Sequence, residues 1–362
     1  MAVGHPETVV APELFDTALR QFFAERRRDA DAIGPSVVHA VGELESYLLR
    51  GGKRIRPVFA WLGWLGAGGD PAGPAAPAVA RTCAALELLH ASALLHDDII
   101  DASLTRRGFP AAHVTFAQQH RAHGWSGDPA DYGTGAAILV GDLALVWADD
   151  LIRTSGLPDR AQARVGPVWS AMRSEVLCGQ LLDLAAEASG DEGIGTALRV
   201  NRYKTASYTV ERPLHIGAAI AGAPERLVTA YRAFGRDIGI AFQLRDDLLG
   251  VFGDPEVTGK PSGDDLREGK RTALIATALR SADTCDPEGA RFLRASIGTD
   301  IGEAELARIR AVLVDTGAVD VMEKDIARRT DRALEALRAS GAAEPALEQL
   351  STMAVRATQR IS

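Results

Sequence analysis

Asp97-Asp98-Ile99-Ile100-Asp101 and Asp246-Asp247-Leu248-Leu249-Gly250 each follow an apolar run where carboxylates have no reason to sit unless a cation meets them. The run from Ala84 to Leu95 is apolar on nearly every face, which predicts a buried helix. Asp97 and Asp101, four residues apart, share one face of it, with Asp98 about 100° round the axis. A helix C-terminus is already partly negative, so each added acid there costs ~0.3–1 kcal/mol unless a metal neutralises it. Few, hard oxygen ligands that leave room for water and phosphate oxygens suit Mg2+. The second cluster repeats the pattern after the apolar run Ile238–Leu244 (IGIAFQL). One such acidic run is commonly a solvated face; two copies on apolar helices outweigh that reading and predict two acidic helix ends clamping a diphosphate through shared metal ions.

Groups of opposite charge stand at separate places. Lys53, Arg54 and Arg56 follow Gly51-Gly52 in the string GGKRIRP. A glycine turn lets cationic side chains and backbone amides approach an anion closely, and guanidinium binds phosphate oxygens in two-pronged fashion. Arg106-Arg107-Gly108 come directly after the first acidic cluster, and Lys204, Lys260, Lys270 and Arg271 complete the set. Acids to hold metals, beside separate bases to hold phosphates, fit an enzyme with two diphosphate ligands.

The strings GGKRIRP, LLHDDIIDASLTRRG, YKTASY and FQLRDDLLG, followed by GKPSGDDLREGKRT, occur in an order that resembles the trans-isoprenyl diphosphate synthase family, the polyprenyl synthetases. The motifs extend from about residue 50 to 275. The resemblance implies an all-α isoprenoid synthase fold, antiparallel helices around a deep central cavity, usually as a homodimer, with three Mg2+ ions. It implies that Asp97 and Asp101 are metal ligands supported by Asp98, and that Asp246 is the principal ligand of the second motif. Lys53, Arg56, His90 and Arg107 match positions that hold the diphosphate of isopentenyl diphosphate. Arg106, Lys204 and Lys260 match those gripping an allylic prenyl diphosphate, with Lys270 assisting from the following loop. Thr205 and Gln243 match residues that steady the allylic cation through carbonyl and amide dipoles. The implied reaction is ionisation of the allylic C–O bond, attack by the alkene of isopentenyl diphosphate, and loss of a proton to the departing diphosphate, with water excluded.

The chain departs from the family at Gly250, where the second motif commonly ends in Asp. Asp246 and Asp247 can still hold an ion with water completing its shell; Asp264 and Asp265 read as a cap for the following helix rather than as substitutes. A class I terpene cyclase shares the acidic chemistry but needs no second basic site, and Asp246–Gly253 lacks the Asn, Ser or Thr and Glu ligands of its second motif. A catalytically silent partner subunit would be expected to have lost acids that are intact here.

The elements that must position these residues are helical. Alanine and leucine abound, aromatic residues make up 6% and alternating β-type segments are scarce among the 362 residues. Residues 1–12 read as a mobile tail and 13–362 as a single all-α domain. Helices are expected from Glu13, over Ser36–Leu49, from about Pro57, and as two long elements over Gly135–Ser189 with Asp149-Asp150 on a solvated face. Tyr203–Ile220 reads as a helix kinked at Pro213, Gly253–Gly269 as a loop, and residues beyond Asp283 as amphipathic helices. The stretch from Phe109 to Gly135 reads as partly loop, with His113, His120 and His123 solvated rather than metal-binding. His96 reads as structural. A net charge of −8 argues against nucleic acid as a partner. No apolar stretch has the length of a membrane span and no secretion signal is evident, which points to a cytoplasmic protein without stable membrane insertion. Cys83, Cys178 and Cys285 are scattered and read as reduced core thiols.

Product length should be set below Asp97. Each added prenyl unit extends the tail by about 5 Å, close to one helical turn of roughly 5.4 Å. The residues four and five places before Asp97 are Ala93 and Ser92, where synthases stopping at fifteen carbons often carry an aromatic residue. Leu88, Leu89 and then Leu86 follow as bulkier obstacles. The product expected is geranylgeranyl diphosphate, with farnesyl and longer diphosphates as the neighbouring alternatives.

Overall fold

The computed structural model describes residues 12–254 and 262–359. Among the described residues the regular structure is helical apart from one short hairpin. All but the last residue of the expected mobile tail, 1–12, lies outside the described residues, as does Lys260. The chain divides into two compact units, one running through Pro167 with Ile216–Ala223 and Ala343–Ala346, the other formed by Val168–His215, Pro224–Ala342 and the residues from Leu347 onward.

The first unit holds α1 (Glu13–Ile33), α2 (Pro35–Leu49), α3 (Ile55–Gly66), α4 (Ala76–Ile100), α5 (Ala112–Ala122) and α6 (Pro129–Arg153). Gly34, with φ 145°, separates α1 from α2, and Pro35 starts the latter where its missing N–H costs nothing. α4 contacts α1, α3 and α6, which accounts for a helix apolar all round. It is long and apolar enough to cross a membrane by composition, yet 72% of that window is buried within the protein. Phe22 and Phe23 of α1 meet Trp147 of α6 edge-on at 5.9 and 6.0 Å, tying these helices together. Asp150, expected on a solvated face, instead accepts a 2.8 Å bond from Arg26 of α1.

Three expectations are corrected here. The stretch after Phe109 is mostly helix, and His120 on α5 is buried, within 3.1 Å of the Ser126 carbonyl and packed against Tyr132 and Trp125. A six-residue link (residues 123–128) folds α5 back on α6, and the aromatic contacts give the imidazole a packed site that local sequence does not display. Of the cysteines, which are all free, Cys83 is buried but Cys178 and Cys285 are exposed, because they fall on outward faces of their helices.

The second unit contains the C-terminal part of α7 (Asp159–Ser189), α8 (Ile194–Val200), a π-helical segment over Asn201–Glu211 leading into α9 (Arg212–Ala221), whose residues from Ile216 on belong to the first unit, and α10 (Glu225–Phe252). One turn, α11 (Asp264–Arg267), precedes α12 (Ala273–Cys285), α13 (Pro287–Ser296), α14 (Glu303–Asp315), α15 (Ala318–Arg338) and α16 (Ala346–Thr358). Its core gathers Ile240, Leu244 and Leu248 of α10 with Leu274 and Leu279 of α12 and Ile326 of α15. The helix anticipated from Tyr203 thus begins at Ile194, and its irregularity is a π segment rather than a simple kink. The Arg212 amide donates to the Ser207 carbonyl five residues back, just before Pro213, which has no N–H to continue the α ladder. Gly179 of α7 and Gly239 of α10 hold this segment by close approach. A Cβ at Gly179 would lie 2.3 Å from the Lys204 amide nitrogen, and one at Gly239 2.5 Å from the Ala206 Cα.

Candidate active site

In the first unit the site is built on the last turns of α4. His90, Ala93, Leu94, Asp97 and Asp101 are all partly exposed and recur at spacings of three and four, so they line one open face. Leu88, Leu89, Ser92, Leu95 and Asp98 are buried. The α4 axis turns about 100° per residue, which puts Ala93 about 40° and Leu86 about 20° from Asp97, but Ser92 about 140° away. Ser92, expected beside Ala93 below Asp97, therefore points into packed structure.

Asp98 is fully buried, and burial raises its carboxyl above the usual range despite the Arg106 guanidinium beside it. Arg106 Nε donates to Asp98 Oδ1 at 2.7 Å and its Nη2 reaches Asp97 Oδ2 at 3.4 Å. The chain makes this possible by doubling back: Thr105–Arg106 pairs antiparallel with Phe109–Pro110 through a turn at Arg107 and Gly108, whose φ values are 54° and 78°. The two adjacent arginines consequently diverge. Arg106 turns to the acids, and Arg107 Nη1 donates to the Gly51 carbonyl at 3.0 Å.

His90 stands within the field of Arg56, Arg107, Arg106 and Arg54, and burial followed by those charges holds its pKa well below the usual histidine value. The imidazole is neutral at neutral pH, so it can offer an N–H to an anion without itself titrating. Arg54, grouped with Lys53 and Arg56 on sequence, faces inward instead: it is 3% exposed and pairs with Asp16 and Glu87 at 2.7 and 2.9 Å. Lys53 is exposed and Arg56 half-buried.

In the second unit the acids lie on α10, whose helix continues to Phe252, so the second cluster stands within its final turns rather than closing it. Asp247 is 3% exposed and its Oδ2 has no hydrogen-bond partner. Burial, opposed by the Gln243 hydrogen bond and reinforced by Asp265 and Asp246, pushes its carboxyl up to about 7. Gln243 Nε2 donates to Asp247 Oδ1 at 3.0 Å, which commits the amide N–H to α10 and leaves the carbonyl as the other end of its dipole.

Gly250 has a specific neighbour. A Cβ there would come within 2.5 Å of Asp265 Oδ2, so the Asp265 carboxylate fills the space where a side chain at 250 would begin. The reading of Asp264 and Asp265 as helix caps is corrected: the capping position of α11 is Gly263, at φ 84°, with no side-chain cap bond. The Gly263 amide is held by the Gly250 carbonyl at 2.8 Å, which brings Asp265 onto α10. Lys270 Nζ bonds Asp265 and Glu268 at 3.3 and 2.5 Å. Lys204 and Thr205 lie on the π segment, and Lys204 Nζ meets Asp183 Oδ2 of α7 at 2.6 Å. Asp183 escaped the sequence reading, although an isolated acid in the apolar run GQLLDLAA is the signal that marked the other two clusters.

Among the described residues no three Asp, Glu, His or Cys side chains converge into a closed metal cage. That fits Mg2+, which takes one or two carboxylates and completes its shell with water and phosphate. In the second unit an orphaned buried carboxylate oxygen on Asp247, and in the first the half-buried acids at the end of α4, are each hard-oxygen donors of the kind a divalent cation relieves.

Acid clusters within apolar helices, a neutral histidine among guanidiniums, and a lysine on a π segment are the chemistry of a helical enzyme that handles diphosphates. The chain belongs to the polyprenyl synthetase family, whose Polyprenyl synthetase model matches residues 39–313. It is a trans-prenyltransferase, in a family that depends on Mg2+. It is similar to the crystal structure of a Corynebacterium glutamicum geranylgeranyl pyrophosphate synthase complexed with isoprenyl diphosphate and magnesium, at 46% identity and TM-score 0.92, over 97% of this chain and 98% of that one. A geranylfarnesyl diphosphate synthase of Aeropyrum pernix is 34% identical over 79% of this chain and 83% of its own length. A geranylgeranyl diphosphate synthase of Mycobacterium tuberculosis is 33% identical over 70% and 67%.

Proposed function

We propose that this protein condenses isopentenyl diphosphate with an allylic diphosphate to give all-trans geranylgeranyl diphosphate. The observation that carries the length is the run of α4 below Asp97: small, partly exposed Ala93 lies about one turn below it, and the bulky Leu89 and Leu86, both buried, come over the next one to two turns. A growing tail passes the first level and is stopped below it.

Lys53, Arg56, His90 and Arg107 hold the diphosphate of isopentenyl diphosphate, and Arg106, Lys204 and Lys260 hold that of the allylic substrate, with Lys270 assisting. Asp97, Asp101 and Asp246 serve as metal ligands for three Mg2+ ions, and Asp265 stands in for the acid absent at Gly250. Bound Mg2+ neutralises the charge that develops on the leaving diphosphate. The Gln243 carbonyl, with its amide N–H engaged by Asp247, and the Thr205 backbone carbonyl turn negative dipole ends to the allylic cation. The departing diphosphate takes the proton from the condensed cation, so no side-chain base is required.

We further propose that residues 13–362 act as one catalytic domain, that the protein is cytoplasmic, and that it functions as a homodimer. Support for a dimer comes from apolar faces without cover: Leu139 and Val146 on α6 are 69% and 57% exposed, and Leu177, Leu181 and Leu184 recur at helical spacing on α7. The test of the reaction class is incubation of the purified chain with Mg2+ and allylic diphosphate, with and without isopentenyl diphosphate. A longer prenyl diphosphate is expected only when both are present; hydrocarbon from the allylic substrate alone would identify a cyclase, and inactivity of the isolated chain a silent subunit.

A further inference from the structure

Arg54 stands among the cationic residues of GGKRIRP, yet its guanidinium is buried among protein acceptors. Its backbone is left-handed, φ 47° and ψ 37°, at the capping position of α3. For a residue with a Cβ that conformation costs about 1–2 kcal/mol and persists only where the surroundings enforce it. Here all three nitrogens are engaged: Nε with Asp16 Oδ1 of α1 at 2.7 Å, Nη1 with Glu87 Oε2 of α4 at 2.9 Å, and Nη2 with the Leu48 carbonyl near the end of α2 at 2.7 Å. Four helices thus meet on one buried guanidinium, and Glu87 is 4% exposed.

The geometry bears on the neighbouring residues. Turning residue 54 inward through a left-handed step leaves Lys53 exposed before it and starts α3 so that Arg56 lies in its first turn. Glu87 is one turn before His90 on α4, so the clamp joins the basic loop to the helix that carries the histidine. The other side of the loop is held by Arg107 on the Gly51 carbonyl. Between the two guanidiniums lies Gly52, at φ 141°, where a Cβ would sit 3.2 Å from Arg107 Nη1 and 3.3 Å from Arg54 Nη1. Two carboxylates neutralise Arg54, so its role is geometric rather than a contribution to the anion-attracting charge.

We propose that Arg54 is a positioning residue for the isopentenyl diphosphate site: clamped by Asp16, Glu87 and the Leu48 carbonyl, it sets Lys53, Arg56 and the Gly51 carbonyl in register with His90 and Arg107. The inference rests on the reading that Lys53 and Arg56 bind that diphosphate. Lysine at this position keeps the charge but cannot span three acceptors.

The test is steady-state kinetics of the full chain with each substrate varied in turn, alongside thermal unfolding. Arg54→Lys and Glu87→Gln are expected to raise KM for isopentenyl diphosphate at least tenfold while KM for the allylic diphosphate stays within twofold. Asp16→Asn, whose carboxylate is 31% exposed in the native protein, is the milder variant that keeps the question open to measurement if the others fail to fold, with a threefold rise expected. A lower unfolding midpoint with both KM values unchanged, or raised equally, would overturn the proposal and leave Arg54 as a core ion pair. Lys53→Ala in the same assay separates the two readings. If it raises KM for isopentenyl diphosphate and no Arg54, Glu87 or Asp16 variant does, only the positioning role fails; if it leaves that KM unchanged, the assignment of the loop fails.

Discussion

Replacing Ala93 by phenylalanine should raise the floor under the growing chain. Ala93 and Leu89 are four residues apart on α4, about 6 Å along its axis and so about one prenyl unit of ~5 Å. A helical side chain covers the turn N-terminal to its own Cα, so the ring is directed into the path of the tail. Ala93 is partly exposed, which leaves room for the ring without repacking the core. Five carbons denied burial at ~0.8 kcal/mol each forfeit about 4 kcal/mol, a factor of about a thousand before relaxation is allowed for. Even with most of that recovered by ring movement, C15 should exceed C20 by at least tenfold. Ser92→Phe is the internal control. Ser92 is 1% exposed and faces away from Asp97, so overpacking should cost about 1–3 kcal/mol of stability and leave product length unchanged. The assay is chromatography of dephosphorylated products from isopentenyl diphosphate and each allylic starter. An active Ala93→Phe enzyme still making the parent's product, or a shift in Ser92→Phe alone, would refute the assignment of this face as the ruler.

Other expectations follow from the same geometry. Asp97→Ala and Asp101→Ala should each lower kcat by at least ~100-fold, since one metal position on a leaving group is worth several kcal/mol; near-normal turnover at saturating Mg2+ would contradict this. Lys53→Ala should chiefly raise KM for isopentenyl diphosphate, whereas Lys204→Ala, which also strands Asp183, should weaken allylic binding and ionisation; initial rates with each substrate varied would expose a reversed assignment. His215 is held at about 4, by burial first and then by Arg212 and Arg232, against 6.5 when unperturbed. The unfolded chain therefore binds the extra proton between those values, and stability should fall by about 2 kcal/mol as pH drops from 6.5 to 4. His215→Gln should flatten that part of the denaturation profile, and an unchanged profile would show that another group carries it.

The acidic clusters were legible because a carboxylate within an apolar helix breaks a local rule, and local rules are what a sequence displays. The same holds for α1, α2 and α6, whose starts are marked by proline or glycine and whose faces are periodic, and for the long α7, whose start follows Pro158. What stayed hidden depends on contacts between distant segments. Arg54 looks like its neighbours until Asp16 and Glu87, 38 and 33 residues away, arrive on other helices. Gly250 reads as a lost acid until Asp265 is seen against it, and Ser92 reads as equivalent to Ala93 until helix rotation separates them. The π segment under Lys204 has no periodic signature, because it is imposed by Gly179 and Gly239 from both sides. Asp183 obeyed the rule that exposed the other acids and was missed only because it stands alone.

The most direct measurement is product identity from the purified full chain given Mg2+, isopentenyl diphosphate and farnesyl diphosphate. One C20 all-trans diphosphate should form for each diphosphate released, with no further elongation when the C20 product is itself supplied as the allylic substrate. Accumulation of C25 or longer chains, or failure to extend farnesyl diphosphate at all, would contradict the claim that Ala93 opens, and Leu89 with Leu86 closes, the path of the growing tail.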